Sequence, residues 1–245
     1  MVKFLKMKKT LILLLLLTLN NTFSQTEIKT DEHWTAYALS ISPENEETVF
    51  NLIDDYFGQN KMDGIKVMLF SILFADDSMA DATHEMVFVG DSKSMGKFYS
   101  PQNFTTEWNL LSSKLNNFID KTIWSLNGTG MASTGPDPSK VVYPYERVLN
   151  WGPDRNIQDF KNAWLKLNKK HERSDRSGVI FSITSSAKYK SGVVLRYPTY
   201  EAMLNSNAEY AKKTQSWKKD WQTYLKENGG GQIVRNFTRV LLKEW

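Results

Sequence analysis

The chain has 245 residues, no cysteine, 31 lysines and arginines against 27 acids, and a formal net charge of +4. Without cysteine there is no disulfide, thiolate metal site or cysteine nucleophile, so stability must come from packing, for which 8 Trp, 10 Tyr and 13 Phe supply the apolar area. Lys3, Lys6, Lys8 and Lys9 account for the whole charge excess, and a chain that is neutral beyond them gives no electrostatic ground for a nucleic-acid partner.

Those four lysines precede an apolar run from Leu11 to Leu19 and then Thr22-Phe23-Ser24. A basic start, a short apolar stretch and a small residue at its end make residues 1–24 a secretory signal peptide. A spanning helix needs about 20 apolar residues, whereas this run is broken at Thr18 and stops at Asn20-Asn21. The mature chain is therefore expected to be secreted or periplasmic, with no membrane span after cleavage.

Residues 25–130 form the first expected half. An extended segment, Trp34 to Ile41, leads to Ser42-Pro43-Glu44, where the proline presets the first helical turn and the acid suits the positive helix end. Val49, Phe50, Ile53 and Phe57 then share one helix face. Strands follow at Ile65 to Phe74 and Glu85 to Val89, a helix at Trp108, Leu111, Leu115 and Phe118, and a strand at Ile123 to Leu126. Residues 131–142, with Gly135-Pro136-Asp137-Pro138, read as an irregular linker.

Residues 143–245 repeat that order. A strand, Tyr145 to Trp151, precedes Gly152-Pro153-Asp154 and a helix bearing Ile157, Phe160, Trp164 and Leu167. Strands Val179 to Thr184 and Gly192 to Tyr197 come next. A long helix then carries Tyr210, Thr214, Trp217, Trp221 and Tyr224, Gly229-Gly230-Gly231 end it, and Ile233 to Leu242 is the last strand. Phe50 and Phe160, Gly64 and Gly178, Met95 and Met203, and Trp108 and Trp217 recur at nearly one spacing.

The expected fold class is α+β, two ferredoxin-like βαββαβ units packed sheet to sheet. This order resembles the dimeric α+β-barrel superfamily with both halves in one chain. Members that look like this include stress-responsive barrel proteins, cofactor-free monooxygenases and haem enzymes of the chlorite dismutase type, and fold alone does not choose among them.

Val142-Tyr143-Pro144-Tyr145-Glu146-Arg147, with His171 near the end of the following helix, is similar to a segment of the coproporphyrin-handling branch of the chlorite dismutase family. The resemblance implies that Tyr143 matches the family's strand tyrosine, Arg147 stands for its propionate-binding lysine and His171 is the haem-iron ligand. Tyr145 departs from the family's methionine, and Glu172-Arg173-Ser174 from its glycine-containing turn. The bland alternative for His171 is a solvated residue favoured by the negative helix end.

Other candidates are less specific. Oxygen and imidazole groups between Asp76 and Glu85 could hold a divalent cation, although a polar hairpin loop explains them equally. Arg147, Arg196, Arg235 and Arg239 fall in strands, and Arg235, Phe237 and Arg239 alternate onto one face. Interleaved with Tyr143 and Tyr145, these guanidinium groups would suit a flat anionic ligand between the sheets, unless they pair with acids. The reading is an exported small-molecule binding module for an aromatic or anionic ligand. The alternatives are a haem- or porphyrin-dependent enzyme of the chlorite dismutase type and a cofactor-free monooxygenase.

Overall fold

The structure is a computed structural model, and it describes residues 26–27, 31–136, 141–152, 156–171, 173, 175–211 and 215–245. The expected signal peptide and the centre of the expected linker, residues 137–140, lie outside the described residues. The first stretch contains β1 (Thr26–Glu27), β2 (His33–Ser40), α1 (Glu46–Gln59), β3 (Ile65–Ala75), β4 (His84–Gly90), α2 (Ser92–Phe98), α3 (Thr106–Leu115) and β5 (Lys121–Thr134). The second contains β6 (Tyr145–Gly152), α4 (Ile157–Lys170), β7 (Ser177–Ile183), β8 (Ser191–Tyr197), α5 (Tyr200–Ala211), α6 (Gln215–Glu227) and β9 (Gln232–Glu244).

Strands β5, β2, β4, β3, β9, β6, β8 and β7 hydrogen-bond in that order, and β7 returns to β5, so the antiparallel sheet closes on itself. Closure leaves no open edge within this ring of strands. With the two-residue β1 set aside, each stretch has its last strand beside its first, then its third, then its second. The expected α+β barrel is present, and the expected sheet-to-sheet packing is corrected in one respect: hydrogen bonds join the two sheets edge to edge. At one seam Phe70 faces Leu241 and Ile72 faces Arg239; at the other Gly128 faces Ile183 and Ser133 faces Val179.

Alternation along the strands sorts side chains to two buried faces. Ala36, Ala38, Met68, Phe70, Val87, Leu126, Val148, Val194 and Phe237 fill the barrel interior. Leu39, Val67, Leu69, Met86 and Phe88 face outward beneath α1, α2 and α3. Leu149, Trp151, Ile180, Val193, Leu195 and Tyr197 face outward beneath α4 and α6. The segment after β3 closes one barrel mouth: Asp76 accepts from the Ser78 backbone N–H at 3.0 Å, and Met79 and Ala82 are buried in the interior cluster. Among the described residues no group of three or more His, Cys, Asp or Glu could hold a metal ion, so this loop is a plug built by local capping.

The helices start and stop where side chains satisfy free backbone groups. Asn156 Oδ1 accepts from the Gln158 and Asp159 N–H groups at the start of α4, Asp91 accepts from Ser94 N–H at α2, and Thr105 from Trp108 N–H at α3. Phe160, Ala163, Trp164 and Leu167 give α4 its apolar stripe, and Lys169 and Lys170 suit its negative end. Beyond α6, Gly229 and Gly230 take φ of 78° and 89°, left-handed values that glycine tolerates.

Three elements depart from the sequence expectation. β5 continues past Leu126 to Thr134, since it pairs with β2 on one side and β7 on the other. α2, which carries Met95, is an additional short helix. The long helix is described as α5 and α6, with residues 212–214 outside the described residues.

Candidate functional site

The barrel interior, where a guest between the sheets was expected, is filled by the protein's own charges. Arg239 Nε donates to Glu146 at 2.8 Å, its two terminal nitrogens bond Glu85 and Glu146, and Arg196 Nε donates to the other Glu146 oxygen at 2.8 Å. The chain Arg196, Glu146, Arg239, Glu85 alternates in sign and is formally neutral. Arg239 also lies 3.9 Å from the Phe70 ring centre. Burial raises the Glu146 pKa, but the guanidinium groups of Arg239 and Arg196 and their hydrogen bonds more than reverse this, holding it below the ordinary carboxylate value. Arg235 donates to Asn150 Oδ1 at 2.7 Å and sits 4.3 Å from each of the Trp124 and Tyr189 ring centres.

The two outer faces differ. Over the first stretch, Phe88 stacks on Phe98 at 5.1 Å, Phe98 meets Trp108 at 5.3 Å, and Phe57 meets the C-terminal Trp245 at 5.9 Å. Trp245 reaches there because β9 runs along β3; its backbone exchanges hydrogen bonds with Val67, and its indole donates to Asp54 at 2.8 Å. Over the second stretch the space between the sheet and α4, α5 and α6 is a cavity of about 1260 Å³. Trp151, Trp164, Trp217, Trp221, Tyr197 and Tyr200 supply aromatic surface to it, and Phe74 and Ile233, both exposed, lie at its margin.

Arg147, His171, Arg173 and Arg176 bring basic groups to the same cavity. Arg147 comes from the outward side of β6 and donates to Asn236 Oδ1 at 2.9 Å. His171 caps α4, its Nε2 is 3.0 Å from Asp220 Oδ2, and Asp220 also accepts from Lys170 at 2.8 Å. Hydrogen bonds from Lys170 and His171 hold the Asp220 carboxyl below its ordinary value. Thus α4 is tied to α6 by a polar clamp beside an aromatic wall; His171 lies 6.4 Å from Trp217, which stacks on Trp221 at 5.4 Å.

The sequence candidates therefore divide. Arg147 and His171 share the cavity. Tyr145 packs on Tyr200 at 5.6 Å beside it, and Tyr143 precedes β6, half-buried, outside its lining. Arg196, Arg235 and Arg239 point into the barrel; Phe237, 2% exposed, belongs to the interior cluster and also borders the cavity. The sheet lies between the three interior arginines and the cavity, so these arginines do not converge with Arg147 and His171 on one guest. Sequence reading missed Arg173, Arg176 and the aromatic wall as one site. Trp217 and Trp221, separated by one helical turn, carried the only signal, and that spacing is also the signature of core.

No family description and no curated protein matches the chain. Solved structures do match in fold. A monooxygenase-like protein from Fusobacterium nucleatum superposes with a TM-score of 0.58 at 10% identity, over 89% of this chain and 95% of that one. A haem-binding protein from Thermus thermophilus gives 0.51 at 11%, over 90% and 94%. A chlorite dismutase variant from Candidatus Nitrospira defluvii gives 0.51 at 10%, over 88% and 92%. The chain thus has the fold of monooxygenase-like and chlorite dismutase-type α+β-barrel proteins; identities this low carry fold and no activity.

Proposed function

We propose that this protein binds a flat, partly aromatic and acidic small molecule in the cavity beneath α4, α5 and α6. The observation that carries this reading is the asymmetry of the outer faces: aromatic side chains and Trp245 occupy the first, while an aromatic- and arginine-lined space of about 1260 Å³ remains on the second. Recurrence of strand order fits two ferredoxin-like copies of one unit, and the residue 1–24 leader would deliver the product outside the cytoplasm. Titration with 1-pyrenebutyrate, followed by pyrene anisotropy, tests the binding reading. Saturable one-to-one binding is expected, weakened about tenfold by Trp221→Ala through lost stacking worth about 1 kcal/mol or more. Absence of binding would refute it.

The geometry of His171 favours one particular guest, haem. The residues present fit it: the Asp220 carboxylate beside one ring nitrogen is the arrangement that orients a metal-ligating imidazole, and Arg147, Arg173 and Arg176 could face propionates. Bound there, haem would supply redox chemistry; the chain's own part would be to hold it, orient the His171 ring and shield one face with Trp217 and Trp221. Haemin titration with a Soret shift that His171→Ala abolishes is the expected outcome. A shift unchanged by that substitution excludes His171 as the ligand.

A further inference from the structure

We infer that Arg176, Tyr197 and Ser206 form the subsite that selects a carboxylate-bearing ligand, resting on the assignment of the cavity as a binding site. Arg176 immediately precedes β7, Tyr197 ends β8 and Ser206 lies on α5, so three separate elements bring these groups to one corner of the cavity lining. Arg176 Nη1 is 3.5 Å from the Tyr197 hydroxyl and 3.4 Å from Ser206 Oγ, both at the long limit of a hydrogen bond. Tyr197 and Ser206 are 1% and 2% exposed.

The three groups leave donors over. Among the described residues Arg176 has no ion pair within 4.0 Å: the neighbouring Asp175 carboxylate feels its charge but gives its hydrogen bonds to Arg173, and Arg147 is engaged by Asn236. When Arg176 donates to both hydroxyl oxygens, each hydroxyl keeps its proton to give. The corner therefore presents guanidinium N–H groups and two O–H groups whose only hydrogen bonds here are the two long ones between them. A planar carboxylate is the group that accepts a guanidinium fork. Gly135, at φ 81°, fixes the approach: a Cβ there would come within 2.4 Å of the Arg176 carbonyl oxygen, so the chain can press against this backbone only with glycine. The aromatic wall and the donor corner together describe an aromatic carboxylic acid.

The test compares 1-pyrenebutyrate with its methyl ester, which keeps the ring and loses the charge. In the wild type the acid is expected to bind at least about tenfold more tightly. Arg176→Gln should remove that preference by weakening the acid about tenfold more than the ester, Arg176→Lys should restore part of it, and Tyr197→Phe should reduce it. Equal binding of acid and ester, or a preference that survives Arg176→Gln, overturns the subsite while leaving the cavity reading intact. Failure of both probes to bind overturns the cavity reading and this inference with it. Far-ultraviolet circular dichroism and ester binding distinguish a lost subsite from a misfolded variant.

Discussion

Glu146→Ala is expected to destabilise the protein by about 3–5 kcal/mol, read as a lower midpoint in denaturant unfolding, because it strands charge inside the barrel. Glu146 is 3% exposed and is bonded by both Arg196 and Arg239. Its removal leaves Glu85 as the one remaining carboxylate of that alternating chain, while the Arg239 guanidinium cannot shed its proton to escape burial. Glu146→Gln, which keeps a side-chain oxygen to accept from Arg196 or Arg239, should cost less than Glu146→Ala. The pH dependence follows from the lowered Glu146 pKa. Its unfolded value is near the ordinary 4.5, so its contribution is present above that pH and is lost as pH falls from there through the folded value. Wild type should therefore lose more stability than Glu146→Ala across that acidic window.

Gly128→Ala should be among the most damaging single methyls in the described sheet, costing about 3 kcal/mol in the same unfolding measurement. A Cβ at Gly128 would lie 1.8 Å from the Ser182 carbonyl oxygen and 2.8 Å from the Trp34 ring. The first obstacle is backbone of β7 at the β5–β7 seam, so a rotamer change cannot relieve it. The seam itself must widen, which weakens barrel closure. Gly58→Ala is the matched control: a Cβ there meets nothing within 4 Å, and the exchange in α1 should be neutral or stabilising by about 0.5–1 kcal/mol.

The elements were legible because their apolar residues keep strict periods. Val49, Ile53 and Phe57 on α1, and Phe160, Trp164 and Leu167 on α4, are buried as their spacing requires. The barrel was indicated by the resemblance to α+β-barrel proteins, while the strand pairs that close it were not legible in the residues. Closure depends on β9 pairing with β3 and β5 with β7, and nothing in an alternating pattern names the neighbouring strand.

The arginines show why the site was only half readable. Alternation put Arg235, Phe237 and Arg239 on one face correctly, but both faces of β9 cannot be told apart by polarity when the interior itself is charged. Glu85 and Glu146 were the available clue, since each stands at an inward position of a strand whose inward neighbours, Val87 and Val148, are apolar. The cavity depends on something no local pattern holds: Trp245, at the far end of the sequence, lies over Asp54 and Phe57 of the first stretch and not over the second. Arg176 was passed over because it lies in a short polar segment between α4 and β7, and only the arrival of Tyr197 and Ser206 from later elements gives it a role.

Amide hydrogen exchange with and without saturating 1-pyrenebutyrate tests the location of the guest most directly. The account expects added protection in α5, α6, the end of α4 and the adjoining strands β6 and β8, with β2, α1 and the buried part of the plug, Met79 to Ala82, unchanged. Protection concentrated in the plug or in α1 to α3, with α5 and α6 unaffected, would contradict it.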